Sequence, residues 1–304
     1  MSKYKRKILL AVDGSDQALD AVRYVSQLFP PNRVEVVLFH VMSKIPESFW
    51  DIEKRPEFRH RLAPVAAWAT QQKTQIQEFM ARSQQLFVDR GVPENALTVK
   101  IEDMQLGIAR DIAREARSGY DALIVGRWGI SKVKDLVWGS VANKLVGYPT
   151  HCPIWVVGGT PYTGKILVAL DSSEEAVGVV DYVGCIVKGS SWKVTLFHVI
   201  RGFEDLRTEA QAEFRQAEQT IVDVFEESTA RLRKAGLGSD LIKTKTVTKV
   251  PSRAKAIFEE AKKGGYGTIV LGRRGLSRVE EFFMGRVSNK VMQLAKEMAV
   301  WVVG

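Results

Sequence analysis

The chain contains the same glycine pattern twice. Gly126-Arg127-Trp128-Gly129, nine residues, then Gly139-Ser140 recurs 146 residues later as Gly272-Arg273-Arg274-Gly275, nine residues, then Gly285-Arg286. Over the 22 positions that begin at Gly126 and Gly272, nine are identical, among them Ser131, Val133, Val141, Asn143 and Lys144 of the first copy. Ile8–Asp13 also recurs as Ile166–Asp171, and Leu38-Phe39-His40-Val41 as Leu196-Phe197-His198-Val199, both 158 residues on. Gly119-Tyr120 against Gly265-Tyr266, and Trp155–Gly158 against Trp301–Gly304, keep the 146-residue spacing, so the first copy holds 12 extra residues after Val41. The Pro- and charge-rich stretch from Ser43 to Pro64 is their expected place. A unit of about 150 residues buries a core of its own, so the duplication restricts the architecture to two copies of one domain. The turn-rich Gly158–Gly164 reads as the link, which predicts domains at 1–160 and 161–304.

Within each copy, short apolar runs alternate with helical periodicity. Ile8–Val12, Val34–Phe39, Leu97–Ile101, Ala122–Val125 and Ile154–Val157 read as strands. Ala18, Ala21, Val22, Val25 and Leu28 have helical spacing, and Pro30-Pro31 ends that helix. Trp68, Gln72, Ile76, Phe79, Ser83 and Leu86 mark one face of a long helix, as do Phe214, Ala217, Ile221, Val224, Ser228 and Leu232 in the second copy. These stripes read as core. Ile108, Ile112, Ala113 and Ala116 mark another helix, and a further one runs from about Ser140 to Val146. Strands that alternate with helices imply α/β architecture: a doubly wound parallel sheet in each half, with helices on both faces. Ligands of such sheets sit at the carboxyl ends of the strands, where the strand order reverses. Each glycine pattern follows the fourth strand and precedes a helix, an arrangement that brings bare N–H groups up to an anion. Phosphate is therefore the first ligand to consider.

The formal charge of +9 attracts polyanions in general, and the plainer reading is a basic surface. No basic stripe interleaved with aromatics is visible, so nucleic acid is not favoured as a partner. Two cysteines, Cys152 and Cys185, make no disulfide framework and suit a reducing compartment. Neither a signal-peptide pattern nor an apolar run of about 18 residues is present. A cytoplasmic chain without a membrane partner is the expectation.

Asp13 after the first strand, Phe39-His40-Val41 ending the second, and Gly126-x2-Gly129-x9-Gly139-Ser140 after the fourth together resemble the universal stress protein family. The resemblance covers nearly the whole chain as two tandem copies. It implies two five-stranded sheets of order 3-2-1-4-5, related to the adenine nucleotide alpha hydrolase-like folds and arranged as an internal pseudo-dimer through the fifth strands that carry Trp155 and Trp301. The implied ligand is an adenine nucleotide, ATP or AMP, with or without Mg²⁺. The resemblance gives Asp13 and Asp171 the ribose hydroxyls, Val41 and Val199 the adenine, and Gly126, Arg127, Gly129, Gly139, Ser140 and Val141 the phosphates. In the second copy it gives that task to Gly272, Gly275 and Gly285, with Arg286 as a further candidate beside the last of them. A homodimer of the whole chain stays open.

Arg286 departs from the pattern, since a Ser or Thr is expected beside the last glycine. It either grips phosphate through its planar fork or fills the pocket, paired with Glu280 or Glu281. Ser288 offers a hydroxyl where the first copy has Ala142. On these grounds the first half is expected to bind the more dependably. Asp13 and Asp171 have a second reading as helix-capping groups, together with Ser15 and Ser173. His40 and His198 read as packed residues rather than catalytic bases. His151-Cys152 lacks further ligands at metal-site spacing, so no metal is expected. Gly159-x4-Gly164-Lys165 resembles a P-loop, but Ile166 and a strand follow it, so it reads as linker. No nucleophile stands out. The chain reads as a binding and stress-response module, with slow ATP hydrolysis at most. A scaffold with vestigial sites and an ATP-using enzyme of a related fold are the alternatives.

Overall fold

The computed structural model describes residues 5–43, 59–129, 139–148, 152–173, 175–201, 208–273 and 284–304. In the first half, β1 (Arg6–Ala11), α1 (Asp16–Leu28), β2 (Val34–Met42), α2 (Arg59–Val88), β3 (Leu97–Asp103), α3 (Ile108–Glu115), β4 (Ala122–Gly126), α4 (Ser140–Gly147) and β5 (Ile154–Val157) follow one another. The second half repeats the series as β6 (Lys165–Ala169), α5 (Glu175–Val187), β7 (Lys193–Arg201), α6 (Thr208–Lys234), β8 (Ile242–Val250), α7 (Arg253–Gly264), β9 (Thr268–Gly272), α8 (Arg286–Leu294) and β10 (Ala299–Val303).

Each half has the strand order 3-2-1-4-5, and the two are continuous: the sheet runs β3-β2-β1-β4-β5-β10-β9-β6-β7-β8. All pairings within a half are parallel; β5 and β10 meet antiparallel, with Trp155 opposite Trp301. The expected pair of five-stranded sheets is thus fused into one. Ile8, Leu9 and Leu10 are fully buried because β1 is central and has helices on both faces. Leu10, Val22, Trp155, Val168, Val183 and Trp301 share one core layer, and Leu9, Phe39, Leu145, Leu167, Phe197 and Val302 share the opposite one. Both layers therefore extend across the two halves. The P-loop-like segment leads straight into β6, as expected of a linker. No helix among the described residues is long and apolar enough to cross a membrane.

The centre of the sheet is an aromatic seam. The indoles of Trp155 and Trp301 stack at 4.0 Å with their planes 7° apart. Trp301 Nε1 donates to the Tyr24 hydroxyl at 3.0 Å, and that hydroxyl lies 2.8 Å from Thr268 Oγ1. Tyr24 sits on α1 of the first half, so its hydroxyl ties a helix of one half to two strands of the other. An edge strand as apolar as β5 invites aggregation if left unpaired, and the antiparallel pairing removes that edge. Trp301→Ala removes a fully buried indole and one of the two hydrogen-bond partners of the Tyr24 hydroxyl, leaving Thr268. It should cost about 3–5 kcal/mol in urea unfolding at neutral pH.

Candidate functional site

Because β1 has β2 on one side and β4 on the other, the connections leaving its carboxyl end diverge and a crevice opens there. In the first half this crevice is a cavity of about 470 Å³. Asp13, Val41, Gly126, Gly129, Gly139, Ser140 and Val141 all line it, so the fold gathers residues from four separated segments as expected.

Asp13 supports the cap of α1 and also lines the cavity. Its Oδ1 accepts from Ser15 N at 3.0 Å and Ser15 Oγ at 2.6 Å. Ser15 Oγ in turn accepts from Ala18 N and caps α1. The carboxylate thus orients the capping residue while it faces the cavity. Its other oxygen lies against Gly129: a Cβ built on Gly129 would collide with Asp13 Oδ2. The expected reason for this glycine was close approach of the chain to phosphate. The reason the structure gives first is room for Asp13. Gly126 likewise leaves space for the backbone of Gln17 and Ala18, and Gly139 for the Arg127 carbonyl, to which its own N–H donates at 2.7 Å.

Arg127 departs from expectation. Its side chain is completely buried and turned away from the cavity into the seam. There Nη1 donates to the Met292 carbonyl at 2.7 Å and Nη2 to the Ala295 carbonyl at 2.8 Å, at the end of α8 in the other half. A guanidinium at a helix C-terminus supplies donors to carbonyls that lack intrahelical partners. Burial pushes its pKa down to about 10, against the pull of Glu297. Arg273 makes the reciprocal contact: its Nη1 donates to the Tyr148 carbonyl at 2.8 Å and the Val146 carbonyl at 3.3 Å, at the end of α4. In both copies the glycine of the Gly-Arg pair lines the cavity and the arginine reaches into the seam.

Several residues on the cavity wall were not expected there. Trp68, Gln72, Gln75 and Ile76 of α2 line it, as do Trp128 and, from α3, Ile108 and Ile112. Of the stripe read as core, Ile76 and Ser83 are buried and Phe79 and Leu86 pack against the core, whereas Trp68 is 51% exposed. The stripe read as core therefore serves two purposes along its length. A helix of 30 residues is about 45 Å long, while a strand of six residues spans about 20 Å. The surplus projects past the sheet over the crevice.

The second half has an equivalent cavity of about 390 Å³, lined by Asp171, Val199, Gly272, Gly285 and Arg286 among others. Gly275, Glu280 and Glu281 lie outside the described residues, as does His151. Asp171 repeats the turn of Asp13, with Oδ1 accepting from Ser173 N and Oγ. Ser288 Oγ donates to the Gly272 carbonyl at 2.8 Å, so the hydroxyl expected to reinforce the site is committed to the end of β9. Arg201 and Arg253 join Arg286 on the wall. Cys152 is buried.

His40 and His198 sit at equivalent points. Each donates its Nδ1 proton to a carbonyl, Val12 at 2.7 Å and Leu170 at 2.8 Å, and each faces its cavity. Burial lowers both pKa values, and for His198 Arg253 adds to the effect. The carbonyl and the neighbouring aspartate oppose the shift in each case.

Two copies of a doubly wound domain, each with a switch-point cavity between an aspartate and a glycine-capped helix, define the class. The profile of the universal stress protein family matches residues 5–158 and again 163–304. The chain belongs to that family, as a tandem member. The universal stress protein YxiE of Bacillus subtilis (strain 168) is 26% identical over 165 residues, half of this chain and 97% of its own length. A solved universal stress protein of Archaeoglobus fulgidus DSM 4304 superposes with a TM-score of 0.60 at 19% identity, over 99% of this chain and 98% of its own. A solved Pseudomonas aeruginosa UCBPP-PA14 structure gives 0.59 at 16% identity, over 99% and 94%.

Two outcomes are expected. Arg127→Ala deprives two buried carbonyls of charged donors and should lower unfolding free energy by about 3 kcal/mol, measured by urea denaturation. Folding lowers the pKa of both histidines from the ordinary value of 6.5. The unfolded chain therefore binds more protons in acid, and the stability of the neutral rings is present above that pH and lost as pH falls through it. The double variant His40→Asn/His198→Asn should show a smaller loss of stability from about pH 7 to about pH 5 than the parent.

Proposed function

We propose that the chain is a cytoplasmic adenine-nucleotide-binding module that couples bound ATP or AMP to a stress response and does not turn the nucleotide over rapidly. The observation that carries this reading is the convergence of Asp13, Val41, Gly129 and the start of α4 on one cavity of about 470 Å³. Small-molecule sites commonly have volumes of roughly 300–1,000 Å³. A carboxylate accepts hydrogen bonds from vicinal hydroxyls, which suits Asp13 to ribose. The first amides of a helix have no intrahelical acceptors, which suits the turn at Ser140 and Val141 to phosphate oxygens. Val41, at the end of β2, and the apolar residues of α2 and α3 supply a wall for a planar base. Mg²⁺ accompanies the phosphates where a di- or triphosphate is bound.

The crowding of Gly126, Gly129 and Gly139 by protein atoms favours a second reading, in which the glycine loop is a packing device and the site is vestigial. One experiment separates the two. Nucleotide released by heat from the purified chain is identified by mass spectrometry, and ATP and AMP are then titrated calorimetrically. Asp13→Asn keeps an acceptor for Ser15 and removes the charge facing the cavity. It should weaken binding at the first cavity about tenfold, with an unchanged melting temperature. A chain that releases no nucleotide and gives no heat with either ligand is a scaffold.

A further inference from the structure

The two cavities differ in charge more than their shared fold requires. Among the described residues, the first has one carboxylate, Asp13, on its wall and no lysine or arginine. The second has three arginines, Arg201, Arg253 and Arg286, with Asp171 and Glu175. The arginines are not one local cluster. Arg201 ends β7, Arg253 opens α7 and Arg286 opens α8. At the matching points the first half has neutral residues. Ser43 follows β2 with the same 158-residue spacing that relates His40 to His198. Ile108 opens α3, and Ser140 opens α4. Each of these three lines the first cavity, as each arginine lines the second.

Three neutral-to-cationic exchanges around one rim, on three separate elements, bring guanidinium groups to one opening from different directions. Glu175 adds one acid, which does not offset them. Guanidinium groups bind phosphate oxygens in a planar, bidentate geometry and keep their charge at any physiological pH. Arg286 and Arg253 also stand at helix N-termini, where a bound anion gains from both the side chain and the helix dipole. The first cavity offers instead two indoles, Trp68 and Trp128, and two amides, Gln72 and Gln75. That surface suits a planar base and a weakly charged remainder.

We propose that the two halves have diverged in ligand charge: the second cavity selects a polyphosphorylated ligand, a nucleoside di- or triphosphate, whereas the first takes the nucleoside or its monophosphate. The assignment of the nucleoside rests on the adenine-nucleotide reading above; the selection for polyphosphate rests on the arginines alone. The consequence is a chain that holds two differently phosphorylated ligands at once.

The test is calorimetric titration of the full chain with adenosine, AMP, ATP and inorganic tripolyphosphate, for the parent and for the triple variant Arg201→Ser/Arg253→Ile/Arg286→Ser, which gives the second cavity the residues of the first. The expected parent shows one site that prefers ATP and tripolyphosphate and weakens steeply with salt, and one that takes adenosine or AMP with little salt dependence. The triple variant should lose on the order of a hundredfold in ATP affinity at the first of these and leave the second unchanged. All three arginines are exposed, and Arg253 gives up only a 3.4 Å bond from Nε to the Val199 carbonyl, so the variant should melt close to the parent. Equal ATP-to-AMP preference at both sites, unaltered in the triple variant, overturns the proposal and leaves the adenine-nucleotide reading intact. Arginine-dependent binding of tripolyphosphate with no response to adenosine, AMP or ATP supports the anion site and overturns the adenine-nucleotide reading instead.

Discussion

The antiparallel pairing of β5 with β10 is the contact on which the rest of the molecule depends. Each half ends in a short strand of large apolar residues, and neither has another strand of its own half on its outer side. Joining the two edges satisfies both rows of backbone groups at once and places Trp155 on Trp301. The core layers above and below the sheet then become continuous across the molecule. Tyr24 shows how closely the halves are fitted: one hydroxyl, fully buried, serves an indole and a threonine from the opposite half.

The same seam braces the candidate sites. Arg127 follows the glycine that ends β4, beside the first cavity, yet it holds the C-terminal end of α8, whose N-terminal end borders the second cavity. Arg273 does the same for α4. Each glycine loop is thus anchored to the helix that serves the other half's site. The loop needs such an anchor because its glycines contribute no side chains to hold it. Their missing Cβ atoms leave room for Asp13, for the first turn of α1 and for the Arg127 carbonyl. The local crowding and the long-range arginine contact together hold Gly126–Gly129 and Gly139 at the mouth of the crevice.

Much of this was legible from residue order. The alternation of strand and helix, the duplicated pattern and the ends of α1 follow from spacing and from capping groups such as Ser15. Strand bounds fell within a few residues of those read from apolar runs, with β1, β2 and β3 extending past them at one or both ends. Arg127 was not legible. Next to two glycines near a phosphate-binding pattern, an arginine reads as a phosphate ligand, and only the neighbouring half supplies the carbonyls that it holds. The bond from the Ser288 hydroxyl to the Gly272 carbonyl is likewise a contact that only the folded chain shows. The upper part of α2 was read as core because an apolar stripe does not reveal where the surface it covers comes to an end.

What the sequence by itself determined is the duplication, the α/β class and the family, because these are written in periodicities and in motifs that a chain carries whatever it packs against. What only the tertiary structure decided is which charged groups face a cavity and which face the seam. Arg127 and Arg286 stand the same distance from glycines of one repeated motif, one on each side of that division. Electrostatic roles depend on distances and burial in three dimensions, and those are settled by how the two halves meet.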